Sequence, residues 1–156
     1  MASGNVSYQS VSIKYGIIVG IVHIVYFLLM WASGLQETVE LSFFSGIFLV
    51  VGIIVAISRF KRMKNGMIHY FQGLGIGATV GAVSSIILAI FMMIFVSTLG
   101  QDYLFSLQSS YLFPESLSKL SLFLITIIYG TVPGVIIGFI AMQWFKRPDH
   151  TMPERI

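Results

Sequence analysis

Four long runs of apolar residues alternate with short charged or polar segments along the chain. Asp, Glu, Lys and Arg are all absent from residues 15–35, 41–58, 67–99 and 120–145. A helix of about 20 mostly apolar residues crosses a bilayer core of roughly 30 Å, so each run is long enough for one crossing. The pattern predicts four transmembrane helices at about 13–35, 41–60, 67–99 and 115–146.

The composition agrees with this pattern. Of the 156 residues, 56% are hydrophobic and only 10% are charged, which lies outside the usual range of soluble globular domains. We therefore predict an all-α fold, an integral membrane four-helix bundle that forms a single domain over residues 1–156. The first apolar run is too long for the core of a cleaved signal peptide and is expected to remain as a helix. The parts outside the helices are a polar N-terminal tail at 1–12, an outer loop at 100–118 and a polar C-terminal tail at 147–156.

Basic residues lie almost entirely on one side of the predicted helices. The positive-inside rule makes this side cytoplasmic, together with both chain termini and the connection between the second and third helices. The net charge of +3 is explained by this topology and by attraction to anionic headgroups, so lipid is the expected partner and nucleic acid is not. The predicted cytoplasmic basic anchors are Arg59, Lys61, Arg62, Lys64, Lys146 and Arg147.

A glycine-rich stretch, QGLGIGATVGAVSS at 72–85, contains a string of the dinucleotide-binding type, G-x-G-x-x-A. That fingerprint needs a buried strand before it and an acidic residue about 20 positions later. No strand-like segment precedes it, and the next acid is Asp102, beyond the whole apolar run. We therefore predict no cofactor.

Spacing of four places the small residues on one helix face, where they let another helix approach closely within lipid. The same pattern recurs in the first and fourth helices. It predicts packing within one chain or between two copies, since both contacts require the same small residues. The predicted packing residues are Gly16, Gly20, Gly73, Gly77, Gly81, Ser85, Gly130, Gly134 and Gly138.

His23 lies near the middle of the first predicted helix. It is the only ionisable residue that lies clearly inside a predicted span. Such residues are functional candidates, for example in a proton relay. A structural role is the alternative, with the imidazole hydrogen-bonded to a hydroxyl on another helix. The hydroxyls considered as partners are those of Ser84, Ser85, Thr126, Tyr129 and Thr131.

Pro133 lies inside the glycine pattern of the fourth helix. Proline removes one backbone donor and strains the preceding turn, so a bend is expected near residues 130–134. The bend is either a static adjustment of a long helix or a hinge beside a polar cavity, as transporters use.

The predicted outer loop carries several aromatic residues among polar ones. Leu104, Leu107 and Tyr111 fall on one helical face, which favours a short helix lying at the membrane interface. A lipid or partner site is the alternative interpretation. The aromatic residues of the loop are Tyr103, Phe105, Tyr111 and Phe113.

Signals for enzymatic chemistry are weak in this chain. It has no cysteine, and neither His69 nor His150 has metal-ligand spacing with another histidine or a carboxylate. No G-x-S-x-G motif is present. We therefore predict no catalytic residues and no metal site.

Two heptapeptides that close apolar helices share the pattern A-x-x-x-F-K-R: AISRFKR at 56–62 and AMQWFKR at 141–147. A duplicated helical hairpin would explain them, but aromatic and basic residues also recur at cytoplasmic helix ends.

Short strings and their layout resemble a known family. These are KYG at 14–16, RFKRMKNG at 59–66, and FQG at 71–73 with repeated glycines after it, followed by a basic tail after the fourth helix. They resemble a family of bacterial four-helix membrane proteins known only as a domain of unknown function, of the 4199 type. The resemblance implies a four-helix bundle in the bacterial cytoplasmic membrane, and it brings no site residues with it.

Three functions are consistent with the sequence. The first is a non-enzymatic scaffold or anchoring subunit that acts through helix–helix contacts with another membrane protein or with itself. The second is an oligomeric transporter or channel for a small solute or ion, suggested by His23 and Pro133. The third is a membrane-bound enzyme acting on lipid, which would require polar groups that converge at one leaflet.

Overall fold

In the described part of the chain, residues 7–35, 39–98, 104, 105, 108 and 118–145, a computed structural model shows four long α-helices, and residues 104, 105 and 108 are also helical. Each of the four is long and apolar enough to cross a membrane. The all-α four-helix prediction is therefore confirmed. The helices are α1 (Tyr8–Ala32), α2 (Val39–Met63), α3 (Tyr70–Thr98) and α4 (Lys119–Phe145).

Helix α1 begins five residues earlier than predicted because Ser7 caps it. The Ser7 hydroxyl accepts a hydrogen bond from the Gln9 amide at 3.2 Å, which satisfies one of the free donors of the first turn. At the other end Gly34 adopts a left-handed conformation with φ of +69°. The Leu35 and Gly34 amides donate back to the helix, so α1 ends before the predicted residue 35.

Helix α2 continues past the predicted end at residue 60 and closes in the same way. Asn65 takes the left-handed conformation, with φ of 54°. The Gly66 amide donates to the Lys61 carbonyl at 3.0 Å, and the Asn65 amide donates to the Arg62 carbonyl at 3.3 Å. These two bonds form a Schellman turn that satisfies the last carbonyls of α2.

Helices α3 and α4 both begin later than predicted. Helix α3 starts at Tyr70 rather than at residue 67. Helix α4 starts at Lys119 rather than at residue 115, because the Ser118 hydroxyl accepts a hydrogen bond from the Ser121 amide at 3.1 Å. The predicted ends of these helices at 99 and 146 lie outside the described residues.

Helix α3 makes the most extensive contacts of the bundle, first with α4 and then with α1, although α2 and α3 each touch all three other helices. We call the end of the bundle where α2 and α4 finish the basic end, and the other the opposite end. Towards the basic end all four helices share one apolar core, which includes Val11, Ile53, Phe60, Ile76 and Met142. At the opposite end a smaller cluster of Phe95, Val96 and Leu122 packs against Phe27 and Leu104.

Candidate functional site

Helices α3 and α4 meet along a line of small residues that we call the glycine seam: Gly73, Gly77, Gly81 and Ser85 on α3, and Gly130, Gly134 and Gly138 on α4. The backbones are in close contact there. A methyl group added at Gly77 would lie 2.5 Å from the Gly134 carbonyl oxygen, and one added at Gly81 would lie 2.6 Å from the Gly130 carbonyl oxygen. The neighbouring atoms are backbone and cannot rotate away, so these positions require glycine.

Both ends of the seam are closed by larger groups. Met142 of α4 fills the space over Gly73. Ser85 donates to the Gly81 carbonyl at 2.7 Å within α3 and lies 3.3 Å from the Ile127 carbonyl of α4. The seam is therefore occupied by a helix of the same chain along its whole length.

The predicted glycines of α1 pack on a different face of α3. Methyl groups added at Gly16 and Gly20 would meet the side chains of Val83 and Ile87, respectively. Here a glycine on one helix receives a branched side chain from the other. This contact differs from the seam because the nearest atoms belong to side chains and not to a second backbone.

Sequence reasoning missed Gly52 of α2, which receives the side chain of Val19 on α1. Its nearest glycine in the same helix is Gly46, which has no atom within 4 Å of a methyl group added there. A spacing of six places two residues on different helix faces. No repeated pattern therefore marked Gly52 as a packing position.

His23 joins α1 to α2. Its Nε2 atom lies 2.9 Å from the carbonyl oxygen of Ser45, and a carbonyl can only accept, so Nε2 carries the proton. One turn on, the Tyr26 hydroxyl donates to the Leu41 carbonyl at 2.6 Å. The ring of Phe48 packs edge-on against both aromatic rings.

Three of the hydroxyls expected as partners of His23, those of Ser84, Ser85 and Thr126, instead donate to carbonyls of their own helices. Ser84 and Ser85 donate to Gly81, and Thr126 donates to Leu122 at 2.7 Å. A hydroxyl on a helix readily reaches the carbonyl three or four residues earlier. These hydroxyls are thereby satisfied without the imidazole.

Thr131 differs from those residues. Its hydroxyl oxygen is buried and has no hydrogen-bond partner among the described residues. It lies two residues before Pro133, and α4 is helical on both sides of that proline. The seam residues Gly130 and Gly134 flank the pair.

Four of the six predicted basic anchors lie in the described part of the chain. Arg59, Lys61, Arg62 and Lys64 lie in the last turns of α2 and the turn after it, while Lys146 and Arg147 lie outside the described residues. The Lys61 ammonium is 6.0 Å from the ring centroid of Phe145 on α4. A cation at this distance over a ring is attracted to it, so this pair connects the two helix ends.

The aromatic outer loop is described only in part. Leu104 packs against the core cluster at the opposite end, and Phe105 is exposed. The other loop residues of that prediction, Tyr103, Leu107, Tyr111 and Phe113, lie outside the described part of the chain. The same description contains no group of three histidines or carboxylates close enough to hold a metal ion.

Four helices long and apolar enough to cross a membrane, packed around an apolar core, define a multi-pass helical membrane protein. Residues 14–147 match the family described as "Protein of unknown function (DUF4199)". The chain belongs to this family, which confirms the resemblance seen in its short motifs. No curated protein and no solved structure matches the chain.

Proposed function

We propose that the protein is a non-enzymatic scaffold or anchoring subunit that acts through lateral contacts within the membrane. The observation that carries this proposal is that, apart from the Thr131 hydroxyl, the buried polar residues of the described structure, Ser12, Ser84 and Ser85, all donate to carbonyls of their own helices. Hydroxyls used in this way offer a passing solute or a substrate little to bind. The interior therefore serves packing, and the outer surface is left for interaction.

The outer surface of α4 is the best candidate for such a contact. Helix α4 turns its glycines to α3, so its outward face consists of large side chains at a spacing of four. All of them are more than half exposed, and they form a continuous apolar stripe that reaches along the helix. The stripe consists of Leu124, Ile128, Val132 and Ile136.

We also propose that the membrane is the bacterial cytoplasmic membrane and that the basic end faces the cytoplasm. The distribution of basic residues supports this orientation, because eight of the nine lysines and arginines fall on that side of the predicted spans. Labelling of single cysteines introduced at Ser33 and Asn65 with a membrane-impermeant reagent tests it. Cysteine at residue 33 should react in intact cells and cysteine at residue 65 only after lysis; the reverse pattern would contradict the orientation.

Photocrosslinking in native membranes tests the scaffold. A photoreactive residue at Ile136 lies on the α4 stripe, and one at Ile21, exposed to a similar extent on α1, is the matched control. We expect a discrete protein adduct from position 136, and recovery of the same protein, or of a self-oligomer, from mild detergent. Lipid adducts alone at both positions, with no stoichiometric partner on purification, would count against the proposal.

A transporter or channel is the second candidate, and the unpartnered Thr131 hydroxyl is the observation that favours it. Helices that carry proline or glycine within the membrane form the polar binding sites of many transporters, and Thr131 lies two residues before Pro133. Flux into proteoliposomes over a panel of ions and small solutes tests this function. Transport that falls in His23→Leu, Thr131→Val and Pro133→Ala would support it, and equal flux in all variants and in empty vesicles would exclude it.

A further inference from the structure

A cavity of about 440 Å³ lies at the basic end of the bundle, between the last turns of α2 and α4. It combines two cations, two polar side chains and two aromatic rings. No residue proposed above for the scaffold or the transporter lines it, except the Lys61 and Arg62 anchors. The cavity is lined by Ser58, Lys61, Arg62, Asn65, Gly66, Trp144 and Phe145.

The charge of the cavity comes from side chains. Both neighbouring helices end here, and the C-terminal end of a helix carries partial negative charge. The Schellman turn offsets part of this effect, because the Gly66 and Asn65 amides occupy the last carbonyls of α2. Lys61 and Arg62 therefore give the cavity its positive character, and Ser58 and Asn65 add groups that can donate hydrogen bonds to an anion.

The aromatic residues place the cavity at the level of lipid headgroups. Trp144 is 74% exposed and follows a long apolar span, the usual position of tryptophan at a membrane interface. Phe145 lies under the Lys61 ammonium. A soluble anion gains no binding energy from these two aromatic rings, whereas the apolar part of a lipid can pack against them.

Apolar side chains lead from the cavity towards the middle of the bilayer. Ile54 precedes Ser58 by one turn on α2, and Ile140 precedes Trp144 by one turn on α4, so each continues the face that lines the cavity. Both are exposed. A phosphate held at the cations would therefore have acyl chains over these two residues.

We infer that this cavity binds an anionic glycerophospholipid, with its phosphate between Lys61 and Arg62 and its acyl chains along Ile54 and Ile140. Basic pockets between helix ends on one side of a membrane are suited to such headgroups. The inference does not depend on the scaffold proposal, because a bound lipid requires no protein partner.

Native mass spectrometry of the purified protein, with phosphatidylglycerol or phosphatidylcholine added, tests the inference. We expect retention of phosphatidylglycerol in preference to phosphatidylcholine. In the double variant Lys61→Gln/Arg62→Gln the affinity for phosphatidylglycerol should fall about tenfold or more, since two of its charge contacts are removed. The matched control is Arg59→Gln/Lys64→Gln, which removes the same charge from the same segment but outside the cavity, and should lose less than about threefold.

Three results would overturn the inference. Equal losses of affinity for phosphatidylglycerol in the two double variants would mean that the lipid is attracted to the basic surface as a whole and not to this cavity. Equal retention of the two lipids by the natural chain would remove the preference for an anion. Displacement of the lipid by glycerol 3-phosphate at equal concentration would show a site for soluble phosphate.

A second variant separates lipid binding from misfolding. Trp144→Leu removes the indole from the cavity wall and should weaken lipid retention, and the melting temperature of the variant in detergent shows whether it is folded. The Schellman turn uses only the backbone carbonyls of Lys61 and Arg62, so its hydrogen bonds remain when the two side chains are changed. Full retention of phosphatidylglycerol by a folded Trp144→Leu/Lys61→Gln/Arg62→Gln variant would also reject the site.

Discussion

The α3–α4 pair and the α1–α2 pair are both antiparallel helices, yet they associate through different groups. In the glycine seam, backbone lies against backbone, and the nearest atoms to Gly77 and Gly81 are main-chain atoms of α4. Between α1 and α2 the side chains of His23 and Tyr26 donate to carbonyls of the neighbouring helix. The first contact depends on the absence of side chains, whereas the second combines two particular side chains with one glycine, Gly52, which receives Val19.

This difference follows from the solvent. Lipid competes with an apolar side chain for contact on equal terms, so burial of leucine or isoleucine drives helix association in a membrane only weakly. Close backbone approach gains dispersion energy over many atoms, while a cross-helix hydrogen bond contributes about 0.6 kcal/mol on average. We therefore expect the seam to be the stronger of the two contacts and the more sensitive to substitution.

The largest effect should come from Gly77→Ala. The new methyl group would lie 2.5 Å from the Gly134 carbonyl oxygen and 2.8 Å from the Gly138 α-carbon, so the helices must separate. We expect a loss of about 3 kcal/mol, at the upper end of the usual cost of overpacking. Unfolding in mixed detergent and dodecyl sulfate micelles, followed by tryptophan fluorescence, measures it.

Gly46→Ala is the matched control for the seam, because a methyl group there meets no atom within 4 Å. Its free energy of unfolding should stay within about 0.5 kcal/mol of the natural chain, as for surface substitutions in general. Similar results for Gly77→Ala and Gly46→Ala would show that α3 and α4 do not meet at the seam.

Gly52→Ala should have the second largest effect. The atom it meets is a methyl group of Val19, which can move more easily than backbone, although a β-branched side chain has few alternative rotamers. We expect a loss of about 1 kcal/mol. A double-mutant cycle with Val19→Ala checks the cause: the loss should largely disappear when the valine methyl groups are removed, and an unchanged loss would place its origin elsewhere.

Tyr26→Phe should cost about 0.6 kcal/mol, the average for a side-chain hydrogen bond inside a membrane. The substitution removes the bond to the Leu41 carbonyl and keeps the ring against Phe48. Tyr15→Phe is the control, because the described part of the chain provides no hydrogen-bond partner for the Tyr15 hydroxyl. The same unfolding assay measures both variants. Equal free energies of unfolding would show that the hydrogen bond from Tyr26 to Leu41 contributes no stability.

The smallest effect, of opposite sign, is expected for Thr131→Val. The hydroxyl is buried without a partner in the described structure, so its replacement by a methyl group of similar size should stabilise the chain by about 0.5 kcal/mol. Thr126→Val is the control, because the Thr126 hydroxyl is bonded to Leu122 and its removal should bring no gain. A destabilised Thr131→Val variant would mean that the hydroxyl has a partner in the membrane, such as a second copy or a solute.

The helices and their small-residue faces could be predicted from the sequence because each depends on residues close together in the chain. Uncharged runs mark the spans, and a spacing of four places Gly73, Gly77 and Gly81 on one face. The helix ends were less accurate, since α1 is extended by a cap at Ser7 while the prediction began at the first long apolar run. A single hydroxyl at the start of a helix leaves no trace in hydropathy.

The partners across helices could not be predicted. His23 bonds to a backbone carbonyl, and every residue has one, so no residue type in the sequence marks Ser45 as the partner. In the same way the spacing of Gly16 and Gly20 resembles that of the seam, although these two glycines meet branched side chains of α3. Which face meets which helix depends on the assembled bundle.

The position of α3 between α1 and α4, its two most extensive partners, has a consequence for synthesis. Helices α1 and α2 leave the ribosome first, and the bonds from His23 and Tyr26 need only these two, so the polar groups of the early chain are satisfied before the rest is made. Helix α3 then packs on Gly16 and Gly20 of α1. Its side of the glycine seam is exposed to lipid at this stage. In a chain stalled at this stage, the glycine face of α3 would be available for packing by a helix of another protein until α4 is inserted.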